Sequence, residues 1–172
     1  MASYRKLDLR GAALAGLLLA ALPAASQAST TTTTFQVQIT LVASCAISAN
    51  NLNFGSGIGL LTSAVNGSTT LSVTCSNSTP YTVGLDAGNV TGSTVSTRLM
   101  AGTTAGNTST TMQFQLYSDS GRTTTWGNSS GSWVSGTGNG GAQSLTVYGQ
   151  VPTQTTPKPD TYQTTITATV TY

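Results

Sequence analysis

An all-β sandwich is the fold class this sequence predicts, and three observations predict it. Short runs of alternating apolar and polar residues recur along the chain, clusters of Gly, Asn, Ser and Thr separate them, and no amphipathic helical period follows Ala28. In order, the alternation predicts strands at about 35–47, 52–54, 69–75, 81–86, 111–118, 144–151 and 162–172. Seven strands in one domain is the size of an immunoglobulin-like sandwich.

The residues ahead of the first strand differ in character. Arg5, Lys6 and Arg10 form a basic start, the apolar run GAALAGLLLAALPAA follows, and Ser26, Gln27 and Ala28 offer small residues to a signal peptidase. Cleavage after Ala28 is expected to leave an exported mature chain from Ser29. The apolar run is too short for a comfortable membrane span, and no later segment approaches one. The whole chain holds 6 Lys and Arg against 4 Asp and Glu. Past residue 28, Arg98, Arg122 and Lys158 balance Asp86, Asp119 and Asp160, so the basic pI of 8.7 belongs to the leader. Three scattered cations make no counterion-releasing face, which excludes nucleic acid as a partner. So few charges leave solubility to Thr, Ser, Asn and Gln, a surface that tolerates close packing of copies.

The first predicted strand poses the main question. In TTTTFQVQITLVASC, Phe35, Val37, Ile39 and Leu41 alternate with Gln36, Gln38 and Thr40, the period of a strand with one buried face. The later strands supply a core of their own. Leu71, Val73 and Cys75 share one face, as do Val83 and Leu85, then Met112, Phe114 and Leu116, then Leu145 and Val147. That core is thin, rich in Ala, Val and Thr, and needs reinforcement. Cys45 and Cys75, an isolated pair in an exported chain, read as one disulfide; closing a loop of about 30 residues is worth roughly 3.5 kcal/mol. A metal or redox role lacks a His, a CxxC and a third thiol.

The last strand, TYQTTITATVTY, alternates as strictly. Tyr162, Ile166, Ala168, Val170 and Tyr172 are expected on one face of a terminal strand, which either sits at an edge or pairs with something supplied later.

Catalysis needs groups whose protonation or nucleophilicity can be tuned, and the sequence contains no His and no Glu. Asp86 and Asp119 stand at strand ends beside Gly or Ser, the positions of turn-closing carboxylates. Arg122 in DSGR is expected to make a surface ion pair with Asp119. Trp126 and Trp133 flank GNSSGS and are candidate surface-binding aromatics for sugar. The glycine-rich loops lack the Lys and following helix of a phosphate cradle, and no catalytic, metal or cofactor set is expected.

The segments ASCAIS, LNFGSG, LSVTCSNSTPYTVGLDAG, RLMAG, MQFQLYSDSGRTTTWGN, TVYGQVP and DTYQTTITATVTY, in this order, resemble the spore coat protein U domain, the subunit family of archaic chaperone-usher pili. The resemblance spans nearly the whole mature chain. It implies an immunoglobulin-like sandwich lacking its final strand, completed by donor-strand exchange. The expected division is a signal peptide at 1–28, a donor-strand extension at 29–41 and a pilin domain at 42–172. Phe35, Val37, Ile39 and Leu41 match the donor position, although Leu41 also fits the chain's own first strand. Four such side chains at about 1.5–3 kcal/mol each make roughly 6–12 kcal/mol of burial, as much as holds an ordinary domain together.

The resemblance further implies neighbouring copies, a periplasmic chaperone and an outer-membrane usher as partners, no cofactor, and a surface fibre that supports adhesion and biofilm formation. A shaft or adaptor role is favoured, since a tip subunit is expected to carry a second domain. The alternatives are a spore or cell-surface coat protein of the same domain family, and a secreted carbohydrate-binding module using Trp126 and Trp133.

Overall fold

The structure, a computed structural model, describes residues 27–172; the expected leader, apart from its last two residues, lies outside them. The chain divides into two units at Ile39 and Thr40. In the first, residues 27–39 hold no strand and are exposed throughout.

The second unit is all β among the described residues. Nine strands run in chain order: β1 Cys45–Ala49, β2 Val65–Cys75, β3 Pro80–Leu85, β4 Arg98–Gly102, β5 Thr111–Tyr117, β6 Val134–Thr137, β7 Ala142–Val151, β8 Tyr162–Gln163 and β9 Ala168–Thr171. They form a six-stranded sheet in the order β1-β2-β7-β5-β4-β8 and a three-stranded sheet in the order β6-β3-β9. Every pairing is antiparallel. The longest ladder joins β2 to β7, from Val65 opposite Val151 to Thr74 opposite Ala142.

The period of two decides what is buried. Leu71, Val73 and Cys75 on β2, Phe114 and Leu116 on β5, and Val147 and Val151 on β7 face Tyr81, Val83 and Leu85 on β3 to form one core. Trp126 lies in it at 1 % exposure and donates its indole N–H to the Val83 carbonyl at 2.8 Å. The expected Cys45–Cys75 disulfide is formed, across the first register pair of β1 and β2.

Several sequence expectations need correction. The strand expected at 35–47 is β1 alone, from Cys45; a strand exists only where a neighbour completes its ladder, and residues 27–43 lie in none. The 52–54 segment is not a strand. Leu52 and Phe54 instead drop onto the inner face of the large sheet at the paired glycines Gly67 and Gly149; a Cβ on Gly149 would lie 2.6 Å from Leu52 Cδ2 and 2.8 Å from Phe54 Cζ. The terminal strand expected at 162–172 is broken in two. β8 joins β4 in the large sheet and β9 joins β3 in the small one, so the segment crosses from one sheet to the other. β4 and β6 were not expected at all.

Two expectations about polar residues resolve differently. Asp119 closes its turn, accepting from the amides of Thr123 at 3.0 Å and Thr124 at 2.7 Å. Arg122 makes no ion pair with it. Its φ is 57°, and its side chain lies against the large sheet, where Nε donates to the Gly149 carbonyl at 3.2 Å and the guanidinium lies 5.9 Å from the Tyr148 ring.

Candidate functional site

The two sheets do not close on each other. β1 ends the large sheet and β9 ends the small one, each with a single partner, and these two edges lie close to each other across the sandwich. Beyond the end of β1 and the start of β9, where the two edges diverge, opens a groove of about 880 Å³. One wall is the irregular run from Ala49 to Gly59, the other runs from Pro159 to Ala168, and the floor is core: Leu71, Leu85, Met100, Phe114, Leu116 and Val147. An ordinary sandwich buries such a floor under another strand.

The second wall carries the polar character of a strand edge. From Thr161 to Thr171 the burial alternates, with Tyr162, Thr164, Ile166, Ala168 and Val170 half-buried and their neighbours exposed. The backbone alternates with it. Odd-numbered residues bond toward the domain: the Thr161 carbonyl accepts from Thr103 at 3.0 Å, Gln163 pairs with β4, and Thr165 and Thr167 donate to the side chains of Asn89 and Asp86. The amides and carbonyls of Thr164 and Ile166 have no hydrogen-bond partner among the described residues. An extended chain with every second backbone group unpaired, beside an apolar groove, is a template for one more strand. Tyr172 leaves this pattern at 58 % exposure.

Behind the wall sits a buried cation. Arg98, on β4, is 0 % exposed. Its Nε donates to the Asp86 carbonyl at 2.9 Å, Nη1 to Gln115 Oε1 at 2.6 Å and Val95 O at 3.3 Å, and Nη2 to the carbonyls of Leu85 at 3.0 Å and Trp126 at 2.7 Å. The five acceptors match the five N–H groups of a guanidinium. Burial brings its pKa down to about 10, with the Asp86 carboxylate opposing the shift, so it stays protonated at neutral pH. Asp160, at the other end of the wall, accepts from Asn107 Nδ2 at 2.7 Å and from the amides of Thr104 and Thr161. These bonds, the Asn107 one foremost, hold its carboxyl far below the usual range.

The remaining candidates lie elsewhere. Phe35, Val37, Ile39 and Leu41 are 85, 87, 82 and 84 % exposed and lie in no strand. Trp126 is corrected from a surface aromatic to a core residue, which removes half of the expected sugar platform; Trp133 is 40 % exposed on its own. Arg98, Asn89 and the second bond of Asp86 were missed. A lone arginine in RLMAG carries no sign that its charge is buried. No group of three metal-ligating side chains occurs among the described residues, and no helix there is long and apolar enough to cross a membrane.

Comparison with known proteins fits this geometry. The chain is similar to a chain in the crystal structure of the CsuC–CsuE chaperone–tip adhesion subunit pre-assembly complex from archaic chaperone-usher Csu pili of Acinetobacter baumannii, at 25 % identity and a TM-score of 0.55. The match covers 77 % of this chain and 40 % of that one, so this chain spans well under two thirds of the structure it resembles. No curated protein matches the chain. The Spore Coat Protein U domain matches residues 31–169, and the chain therefore belongs to the spore coat protein U domain family.

Proposed function

We propose that this chain is a structural subunit of a surface fibre of the chaperone-usher type, assembled when residues 35–41 of one copy enter the groove of the next. The observation that carries the reading is the pairing of supply and demand within one sequence. An apolar groove flanked by the unpaired backbone of Thr164 and Ile166 needs a strand, and Phe35, Val37, Ile39 and Leu41 offer four exposed apolar side chains at strand spacing. The domain division follows: a leader at 1–28, a donor extension at 29–41, and a pilin domain at 42–172.

A groove that reaches the core beside a strand edge with unpaired backbone groups is an aggregation hazard until it is filled. A periplasmic chaperone would fill it in transit and an outer-membrane usher would exchange chaperone for donor, in keeping with the chaperone in the similar Csu complex. The fibre would stand on the cell surface and serve adhesion and biofilm formation. The floor is aliphatic and aromatic and the walls add hydroxyl and amide side chains, which suits a strand-binding element.

The test is assembly of the oxidised full chain after export. Wild type should run as a ladder of multiples on an unheated denaturing gel and collapse to one band on boiling. A chain with Phe35→Asp and Ile39→Asp should run as a monomer at either temperature. A ladder that survives both substitutions would refute the donor assignment.

A further inference from the structure

We propose that Asp86 and Asn89 are positioning residues for the docking edge, two side chains that stand in for a strand where β3 runs out; the inference rests on the donor-strand reading above. β3 ends at Leu85, whose register partner is Ala168, the first residue of β9. Upstream of Ala168 the groove wall continues through Thr167, Ile166, Thr165 and Thr164 with no strand beside it. Its domain-facing amides are nevertheless paired. Asp86 Oδ1 accepts from the Thr167 amide at 2.9 Å, and the Asp86 amide donates to the Thr167 carbonyl at 3.1 Å. Asn89 Oδ1 accepts from the Thr165 amide at 3.0 Å and from Thr164 Oγ1 at 3.0 Å.

These bonds exceed what a turn needs. Closing the turn takes only the bond from the Gly88 amide to Asp86 Oδ1, at 3.0 Å. The others reach across to two amides spaced two residues apart, the spacing of a β ladder. Pairing the Thr165 amide and both backbone groups of Thr167 fixes the extended course of the wall and leaves the backbone groups of Thr164 and Ile166 unpaired. The loop that carries both side chains is itself held in place. Arg98 grips the Leu85 and Asp86 carbonyls, and Ser93 Oγ donates to the Ala87 carbonyl. Gly88 has a φ of 90°, and a Cβ there would lie 2.7 Å from Thr164 Oγ1, so the loop and wall meet at backbone distance. Grip on an incoming strand therefore depends on two residues assigned to the far side of the wall.

The test uses the oxidised full chain carrying Phe35→Asp and Ile39→Asp, so that its own extension is silent, and a fluorescent peptide of residues 31–41 as the probe. Asn89→Ala should speed exchange of the Thr165 amide at least tenfold while core amides such as Val83 keep their protection. It should also speed peptide dissociation about three- to tenfold, the equivalent of one net hydrogen bond. Asn89→Asp keeps the accepting Oδ1 and should stay within about twofold of the parent on both readouts, which a requirement for the amide nitrogen would not allow. Equal dissociation from parent and Asn89→Ala, or an unchanged Thr165 amide, overturns the positioning role and leaves the donor reading intact. A parent that binds no peptide overturns both.

Discussion

Arg98 donates from Nη2 to the carbonyl of Trp126 at 2.7 Å, while the Trp126 indole donates to Val83 at 2.8 Å, so a buried cation and a buried aromatic lock β4, β3 and the loop after β5 together. Removing the guanidinium leaves a set of buried carbonyls with no donor. Arg98→Met, similar in length and apolar, is expected to cost about 3–5 kcal/mol of stability, read as a lower midpoint in urea unfolding of the oxidised chain. A loss under 1 kcal/mol would mean water reaches those carbonyls.

The two tryptophans should behave oppositely. Trp126 fills the core at 1 % exposure, and Trp126→Ala is expected to cost about 3–5 kcal/mol. Trp133 is 40 % exposed, and Trp133→Ala should stay within about 1 kcal/mol of wild type in the same unfolding measurement.

Acid should weaken the fold through two half-buried surface carboxylates, Asp119 and Asp160. Donated bonds, chiefly from Asn107 to Asp160 and from the Thr124 amide to Asp119, hold both pKa values below the usual 3.8. The unfolded chain then binds protons that the folded chain does not, so stability is full above about pH 5 and falls as pH drops through 4 and below. Asp160→Asn should flatten part of that decline in melting temperature between about pH 5 and pH 2, and an unchanged slope would remove Asp160 from the account.

How far the fold was legible follows from where its ladders close. β2, β3, β5 and β7 have neighbours within the chain and a clean apolar alternation, and all four were legible to within a few residues. β4 was not, because its inward positions are Arg98, Met100 and Gly102, and only one of these looks like core. β6 offers Val134 alone as an inward apolar residue. The opposite error at 35–44 has the same root. Alternation reports a face that wants burial and says nothing of whether this chain supplies the partner. Trp126 was misread because its neighbours are polar and its burial depends on β3, more than 40 positions upstream. In the groove, the apolar floor was legible except for Met100, which lies on the unexpected β4. Its wall was not, since the supports are single oxygens on Asp86 and Asn89 that composition cannot distinguish from turn residues.

The unpaired amide of Ile166 allows a selective break. Proline at an edge position whose N–H bonds nothing is tolerated by the sheet it belongs to. Ile166→Pro should cost the isolated subunit no more than the packing of one half-buried side chain, about 1–2 kcal/mol, yet abolish the heat-sensitive ladder. Thr167→Pro, which removes the amide bonded to Asp86, should weaken the subunit itself in the unfolding assay.

The most direct measurement of the central claim is the melting temperature of the oxidised full chain bearing Phe35→Asp and Ile39→Asp, with and without excess peptide of residues 31–41. Filling the groove with four apolar side chains should raise it by more than about 10 °C, given that each kcal/mol moves a domain of this size by roughly 2–8 °C. A melting temperature that the peptide leaves unchanged would contradict the account, and the groove would then have to be closed by something other than this stretch of a second copy.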